Sequence, residues 1–146
     1  MKEVFGDIWD YHNKVNWVVV STNGTVRTDG ACVMGRGIAL QAKQKFPKLP
    51  HELGENIQSK GNQVYVFDTY QIITVPVKHH YWERADLSLI EEGVRYLSLL
   101  PVELGDVYLP RLGCGNGKLD WNDVRPVLEK YLDDRFVVVE LHTTKR

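Results

Sequence analysis

The run Trp17-Val18-Val19-Val20-Ser21-Thr22-Asn23-Gly24 sets the reading of this chain. Three valines in succession behind a tryptophan make a strand that is apolar on both faces, the pattern of a strand buried inside a sheet. The run then turns polar and meets a glycine, so the strand feeds a loop. Val107-Tyr108-Leu109 and Phe136 to Leu141 read as two further buried strands. Gln63 to Phe67 and Gln71 to Val77 are β-rich as well, separated by Asp68-Thr69-Tyr70.

Helical patterns fill the gaps. Ile38, Ala42 and Phe46 recur every fourth residue and share one face of a helix that Pro47 stops. Pro50 can open a second helix, through Leu53 and Ile57 to Gly61. Asp86 has the chemistry of an N-cap for a third, whose apolar stripe is Leu87, Ile90, Val94 and Leu97. Glu91 and Arg95 are spaced to pair on its surface. A fourth runs from about Asn122 to Tyr131, with Val124, Val127, Leu128 and Tyr131 inward and Pro126 limiting how early it starts. Strands interleaved with helices imply a layered α/β domain with a largely parallel sheet, whose ligands bind past the carboxyl ends of the strands.

Two glycine-rich stretches stand at such ends. Met34-Gly35-Arg36-Gly37-Ile38 follows the first strand and enters a helix; Leu112-Gly113-Cys114-Gly115-Asn116-Gly117-Lys118 follows Val107–Leu109 and precedes another. Glycines let a backbone approach a ligand closely, and strand-to-helix turns aim free N–H groups outward, so both suit phosphate. Neither is a familiar nucleotide motif. A Walker A loop would need Gly and Ser or Thr where Leu112 and Leu119 stand, and the dinucleotide fingerprint fails at Leu40 and Lys118. One such loop alone reads equally well as a tight turn. Two of them point to a phosphate-bearing small molecule.

Composition bounds the rest. At 146 residues with 43% hydrophobic and 25% charged side chains, the chain suits one globular domain rather than a disordered segment. A net charge of -1 excludes a protein held to nucleic acid by general phosphate neutralisation, leaving at most a local contact. Two cysteines, Cys32 and Cys114, without paired Cys/His spacing argue against a disulfide framework and against zinc. No signal-peptide pattern opens the chain, and no apolar run reaches the roughly 18 residues of a membrane span. The expectation is a cytoplasmic protein with no metal and no cofactor.

Taken in order, these segments resemble the macrodomain family over nearly the whole chain. Gly6-Asp7-Ile8 is similar to the family's opening GDI; Val19-Val20-Ser21-Thr22-Asn23 stands at its VNAAN segment; Gly35-Arg36-Gly37 and Gly113 to Gly117 stand at its two loops. Within the family, VMGRGIALQAKQKFP, VPVKHHYW and LGCGNGKLDWNDVRP resemble the class of the DarG antitoxin and the terminal ADP-ribose protein glycohydrolase. The resemblance implies a three-layer α/β/α fold with a mixed, largely parallel sheet, forming one macrodomain over residues 1–146 without the further C-terminal region of DarG. It implies ADP-ribose as ligand, with Asp7 and the Ile8 backbone on adenine and Asn23 on the distal ribose. Gly35, Arg36 and Gly37 would belong to the first binding loop. Gly113, Cys114, Gly115, Asn116 and Gly117 would clasp the diphosphate. Two positions depart from the pattern: Val20 replaces the first VNAAN asparagine, and Gly117 stands where the eukaryotic glycohydrolase has an acid.

In that class a lysine after the strand is catalytic, and here it is Lys78. Two roles are open to it: a neutral amine attacking the anomeric carbon, which the family favours, or an ammonium protonating the leaving group. The first needs a lowered pKa, for which His79, Arg111 or burial would serve. Without the resemblance Lys78 reads as a solvated lysine at a strand end. His79 and His80 would point to opposite sides and suit surface or packing roles. Tyr81-Trp82 reads as a stacking platform or as cover for the core. Asp120 and Asp123 suit helix capping, Trp121 the core, and Cys114 contributes its backbone N–H rather than its thiol.

The implied activity is removal of ADP-ribose from DNA bases, with ADP-ribosylated single-stranded DNA as substrate and a toxin ADP-ribosyltransferase as functional partner. The competing expectations are a non-catalytic ADP-ribose reader, and a hydrolase of protein-linked ADP-ribose or of ADP-ribose 1''-phosphate.

Overall fold

The computed structural model describes residues 1–101 and 105–141. Strand β1 (Lys2–Gly6) leads into a single 3-10 turn at Ile8–Tyr11, and then β2 (Trp17–Asn23) crosses the molecule. Helices α1 (Gly37–Lys45) and α2 (Leu49–Lys60) follow, then the hairpin of β3 (Tyr65–Phe67) and β4 (Ile72–Lys78). The remainder alternates: α3 (Leu87–Ser98), β5 (Val107–Leu109), α4 (Trp121–Tyr131) and β6 (Phe136–Leu141). The strands form one sheet in the order β1-β6-β5-β2-β4-β3. Every pairing is parallel except that of β3 with β4.

The run of valines in β2 explains the layering. Successive side chains of a strand alternate between faces, and both faces here are covered. Trp17 and Val19 pack with Ile90, Val94 and Leu97 of α3 and with Val124 and Leu128 of α4. Val18 and Val20 pack the other way, with Ala39 and Ala42 of α1 and Leu49 and Leu53 of α2. In β4, Ile73 joins the first core and Ile72 the second. The result is the expected three-layer α/β/α arrangement with a mixed, largely parallel sheet. Among the described residues, no helix is long and apolar enough to cross a membrane.

The direction in which successive strands are added reverses at the centre of the sheet, although β2 and β5 there are parallel. From β2 the chain runs out through α1 and α2 to β3 and β4 on one side, whereas β5 runs through α4 to β6 on the other. The adjacent carboxyl ends of β2 and β5 therefore form a switch point, where α/β sheets open a crevice. Both glycine loops emerge there.

Helix ends follow local chemistry. The Asp86 carboxylate accepts from Ser88 N at 2.9 Å and Asp120 from Asn122 N at 2.9 Å, so both are N-caps as expected. Gly61 takes a φ of 99° where α2 stops. Glu91 does not pair with Arg95. Instead it accepts from Tyr131 Oη at 2.6 Å and meets Lys130 at 3.6 Å, tying α3 to α4. The edge strand β1 lay outside the expected elements, and β3 is shorter than Gln63–Phe67.

Candidate active site

A cleft of about 940 Å³ runs across the carboxyl ends of the strands, at the upper end of the range for small-molecule sites and large enough for an extended dinucleotide-sized ligand. All the residues assigned from the sequence to ligand binding or catalysis line it, whereas His79, His80, Trp82 and Asp123 do not. Asp7 and Ile8 stand at the end of β1, Asn23 at the end of β2, and Lys78 at the end of β4. Gly35, Arg36 and Gly37 form one lip; Gly113, Cys114, Gly115, Asn116 and Gly117 form the opposing one.

The first lip is the start of α1. Arg36 is its N-cap residue and makes no side-chain cap bond, and Gly37 opens the helix at a φ of 57°. The N–H groups of that first turn have no side-chain acceptor, which is the disposition an anion requires. The second lip is a tight coil in which Gly113 O accepts from Leu119 N at 2.9 Å. Gly117 is buried in it: a Cβ there would meet Gly113 O at 2.5 Å and the Ala85 Cβ at 2.7 Å. No acidic side chain fits at Gly117 without moving the loop. Lys118 follows at a φ of 67°, a conformation that L residues other than Asn and Asp seldom adopt.

Lys78 owes its position to an irregularity. Thr22 pairs with Pro76 but Asn23 pairs with Lys78, so Val77 is an extra residue that breaks the β2–β4 register at the cleft. The carbonyl of Lys78 accepts from Asn62 Nδ2 at 3.0 Å, and its Nζ donates to Tyr81 O at 3.2 Å. Its pKa is lowered from the ordinary 10.5, first by partial burial and then by Arg36 and Lys118. The expected cationic neighbours, His79 and Arg111, are engaged elsewhere. His79 Nε2 lies 2.7 Å from Asp86 Oδ2; Arg111 pairs with Glu140 at 2.8 Å and lies over the Trp121 ring.

The other candidates have settled roles. The Asn23 amide donates to Val33 O and accepts from Thr25 N, both at 2.9 Å, bracing the loop that carries the first lip. The Asp7 carboxylate accepts from Trp9 N at 3.0 Å. Burial pushes the Cys114 thiol up to about 11 and that of Cys32 to about 12, so neither is a thiolate near neutrality. Trp121 is half-buried against the core and also lines the cleft. Tyr81 and Trp82 do not cover the core: 52% and 64% of their surfaces are exposed. Among the described residues no three His, Cys, Asp or Glu side chains converge as a metal site would need. Sequence reasoning missed Asn62, Glu140 and the cationic neighbours Arg36 and Lys118 of Lys78, because each acts through a partner distant in the chain.

No family model matches the chain. Among curated proteins, a "DNA ADP-ribosyl glycohydrolase" of Mycobacterium tuberculosis is 38% identical over 104 residues, 63% of this chain and 29% of that protein. One of the same name from Thermus aquaticus is 31% identical over 120 residues, 75% of this chain and 33% of that protein. The chain thus spans about a third of the length of these relatives. Among solved structures, the macrodomain of Mycobacterium tuberculosis DarG superposes with a TM-score of 0.77 at 29% identity, covering 98% of this chain and 100% of that one. The layered sheet, the cleft at its switch point and these likenesses together establish that the chain belongs to the macrodomain family, with DarG macrodomains among its relatives.

Proposed function

We propose that the protein binds ADP-ribose in this cleft and hydrolyses it from modified DNA bases, with Lys78 as the catalytic group. One observation carries the assignment of Lys78: the carboxylates at the cleft are already engaged and its thiol is protonated. Asp7 caps the turn after β1, Asp120 caps α4 and Glu140 is paired with Arg111. The Cys114 thiol stays protonated near neutrality. Lys78 is the one lysine lining the cleft among the described residues, and it is bound only to a carbonyl oxygen.

The Lys78 pKa is lowered from its ordinary value by partial burial, Arg36 and Lys118, the direction that an amine nucleophile needs. The amine attacks the anomeric carbon as the glycosidic bond breaks; the base leaves with the bonding pair and takes up the proton that the lysine nitrogen loses. Water then adds to the anomeric carbon and returns a proton to the nitrogen, releasing ADP-ribose and the free amine. The relatives named DNA ADP-ribosyl glycohydrolase support the reaction and the acceptor. The two glycine lips support diphosphate recognition, with Gly35, Arg36 and Gly37 facing Gly113 to Gly117; Asp7, Ile8 and Asn23 hold the nucleoside and the distal ribose. A reaction that strips ADP-ribose from a base presupposes one that adds it, so a toxin-type ADP-ribosyltransferase is the functional partner. The setting is the cytoplasm, a reducing compartment that keeps Cys32 and Cys114 as thiols.

The test offers the protein single-stranded DNA bearing ADP-ribose on thymidine, a protein bearing ester-linked ADP-ribose, and ADP-ribose 1''-phosphate, with products followed by mass spectrometry. Release from DNA is expected to dominate. Release only from the protein or the phosphate would reassign the acceptor. No release from any of them, with ADP-ribose still bound, would leave a reader.

A further inference from the structure

Helix α1 presents more than its first turn to the cleft. Gly37, Ile38 and Gln41 lie on one side of the helix, and all three line the cleft. Gln41 stands one turn beyond Gly37, a rise of about 6 Å along the axis, so it is set back from the N–H groups that suit an anion. Its side-chain oxygen accepts from the indole Nε1 of Trp9 at 2.8 Å. Trp9 belongs to the turn after β1, where its own N–H is held by the Asp7 carboxylate. That bond therefore ties α1 to the turn that carries Asp7 and Ile8.

The indole settles which way the amide points. Its N–H can only donate, so the oxygen of Gln41 faces Trp9 and the NH2 group is left over. Among the described residues nothing accepts from that nitrogen, and Gln41 is exposed at the cleft. The indole is itself braced: Lys45 Nζ lies 5.0 Å over its ring, and the His12 ring meets it edge-on at 5.5 Å. An oriented pair of N–H donors complements an acceptor, and the neighbouring Asp7 carboxylate complements a donor. Adenine offers both, an amino group beside ring nitrogens that accept.

We propose that Gln41 is a specificity-determining residue that donates through Nε2 to a ring nitrogen of adenine, and that Trp9 is the positioning residue that keeps the amide turned that way. This rests on the reading of the cleft as an ADP-ribose site, and the binding measurements separate the two. Affinity is measured by calorimetry for the wild type, Gln41→Met, Trp9→Phe and the double variant, with Tm recorded for each. The ligands are ADP-ribose, its counterpart lacking the base, and analogues with carbon in place of the N1, N3 or N7 nitrogen of adenine. KM and kcat on ADP-ribosylated single-stranded DNA complete the set.

Gln41→Met keeps the length of the side chain without its donors and is expected to weaken ADP-ribose binding by about threefold to tenfold. KM rises by a similar factor with kcat and Tm unchanged. Trp9→Phe keeps a ring but not the N–H; it loses less, and adds nothing in the Gln41→Met background. The base-free ligand, and one of the three analogues, should bind wild type and Gln41→Met equally. Equal affinity of these two proteins for ADP-ribose overturns the proposal, as does a loss that persists without the base or with all three analogues. A Trp9→Phe loss that survives in the double variant overturns the positioning role of Trp9. A wild type that fails to bind ADP-ribose overturns the reading of the cleft and the proposal with it. A Gln41-dependent loss of affinity without any hydrolysis sinks the enzyme reading and leaves Gln41 assigned.

Discussion

The Nζ of Lys78 donates to the main-chain carbonyl of Tyr81 across 3.2 Å, and that same residue is pinned by Thr25 through its own N–H. One hydrogen of the amine is thereby fixed by the turn that follows β4. A neutral amine held in this way keeps its lone pair for the cleft. For the proposed nucleophile the bond would supply orientation without stabilising the ammonium form as a carboxylate partner would.

The pH dependence follows from the charges around that amine. Arg36 and Lys118 hold the Lys78 pKa below its ordinary 10.5, on top of the larger effect of partial burial. With the amine as nucleophile, kcat/KM rises with pH and levels off above the Lys78 pKa. Lys118→Asn removes one positive charge while suiting the left-handed backbone at that position. Protonated Lys78 is then easier to maintain, its pKa rises, and the limb moves to higher pH. A pH–rate profile of the two proteins checks the direction; a limb that moves downward contradicts it.

Asn62 lies outside the cleft yet bonds the carbonyl of Lys78 at 3.0 Å. It is a positioning residue, so its loss acts on turnover rather than on binding. Asn62→Ala, and the isosteric but donor-free Asn62→Asp, are expected to lower kcat by about tenfold to a hundredfold. KM and ADP-ribose affinity should change little. Equal losses in kcat and ADP-ribose binding would indicate collapse of the site instead.

The second glycine lip predicts a contrast between two neighbours. Gly117→Ala puts a Cβ against Gly113 O and Ala85, whereas a Cβ at Gly115 meets nothing within 4 Å. Gly117→Ala should lower the Tm by several degrees, a loss of about 1–3 kcal/mol, and weaken ADP-ribose binding. Gly115→Ala should leave the Tm unchanged. Thermal unfolding with calorimetric titration of ADP-ribose distinguishes them.

How much of this was readable beforehand depended on whether a residue's partner was near it in the chain. The burial of β2 showed in Val18-Val19-Val20, and Asp86 announced its helix, because periodicity and capping are local properties. The two glycine lips were readable from loop glycines placed after buried strands, whereas Asp7, Ile8, Asn23 and Lys78 stood out only through the family resemblance. The edge strand β1 was not, since Val4 and Gly6 alone are half-buried within it and no apolar run results. Nor were Asn62, or Arg36 and Lys118 as neighbours of Lys78, because β-sheet crossovers bring them together from separate segments. The exposure of Trp82 was equally hidden: an aromatic pair reads the same whether it faces the core or solvent.

Asp86 links the site to the scaffold. Its carboxylate caps α3 through Ser88 N and takes His79, whose hydrogen bond is the main reason that its pKa lies below the ordinary 3.8. Its contribution to stability is therefore complete above that ordinary value and disappears as the pH falls through the lower folded one. Asp86→Ala should cost about 1 kcal/mol near neutrality, mostly the cap, since the partly exposed His79 pair is screened by solvent. Comparing Tm for the two proteins at neutral pH and below pH 3 checks this: the gap should narrow in acid.

The most direct test of the whole account is release of ADP-ribose from thymidine-modified single-stranded DNA by the wild type and by Lys78→Ala, with ADP-ribose affinity measured for both. The account predicts rapid release by the wild type, loss of release in the variant and nearly equal affinity. Release that survives Lys78→Ala would contradict the assignment of Lys78. A wild type that binds ADP-ribose but releases none from DNA would contradict the hydrolase itself.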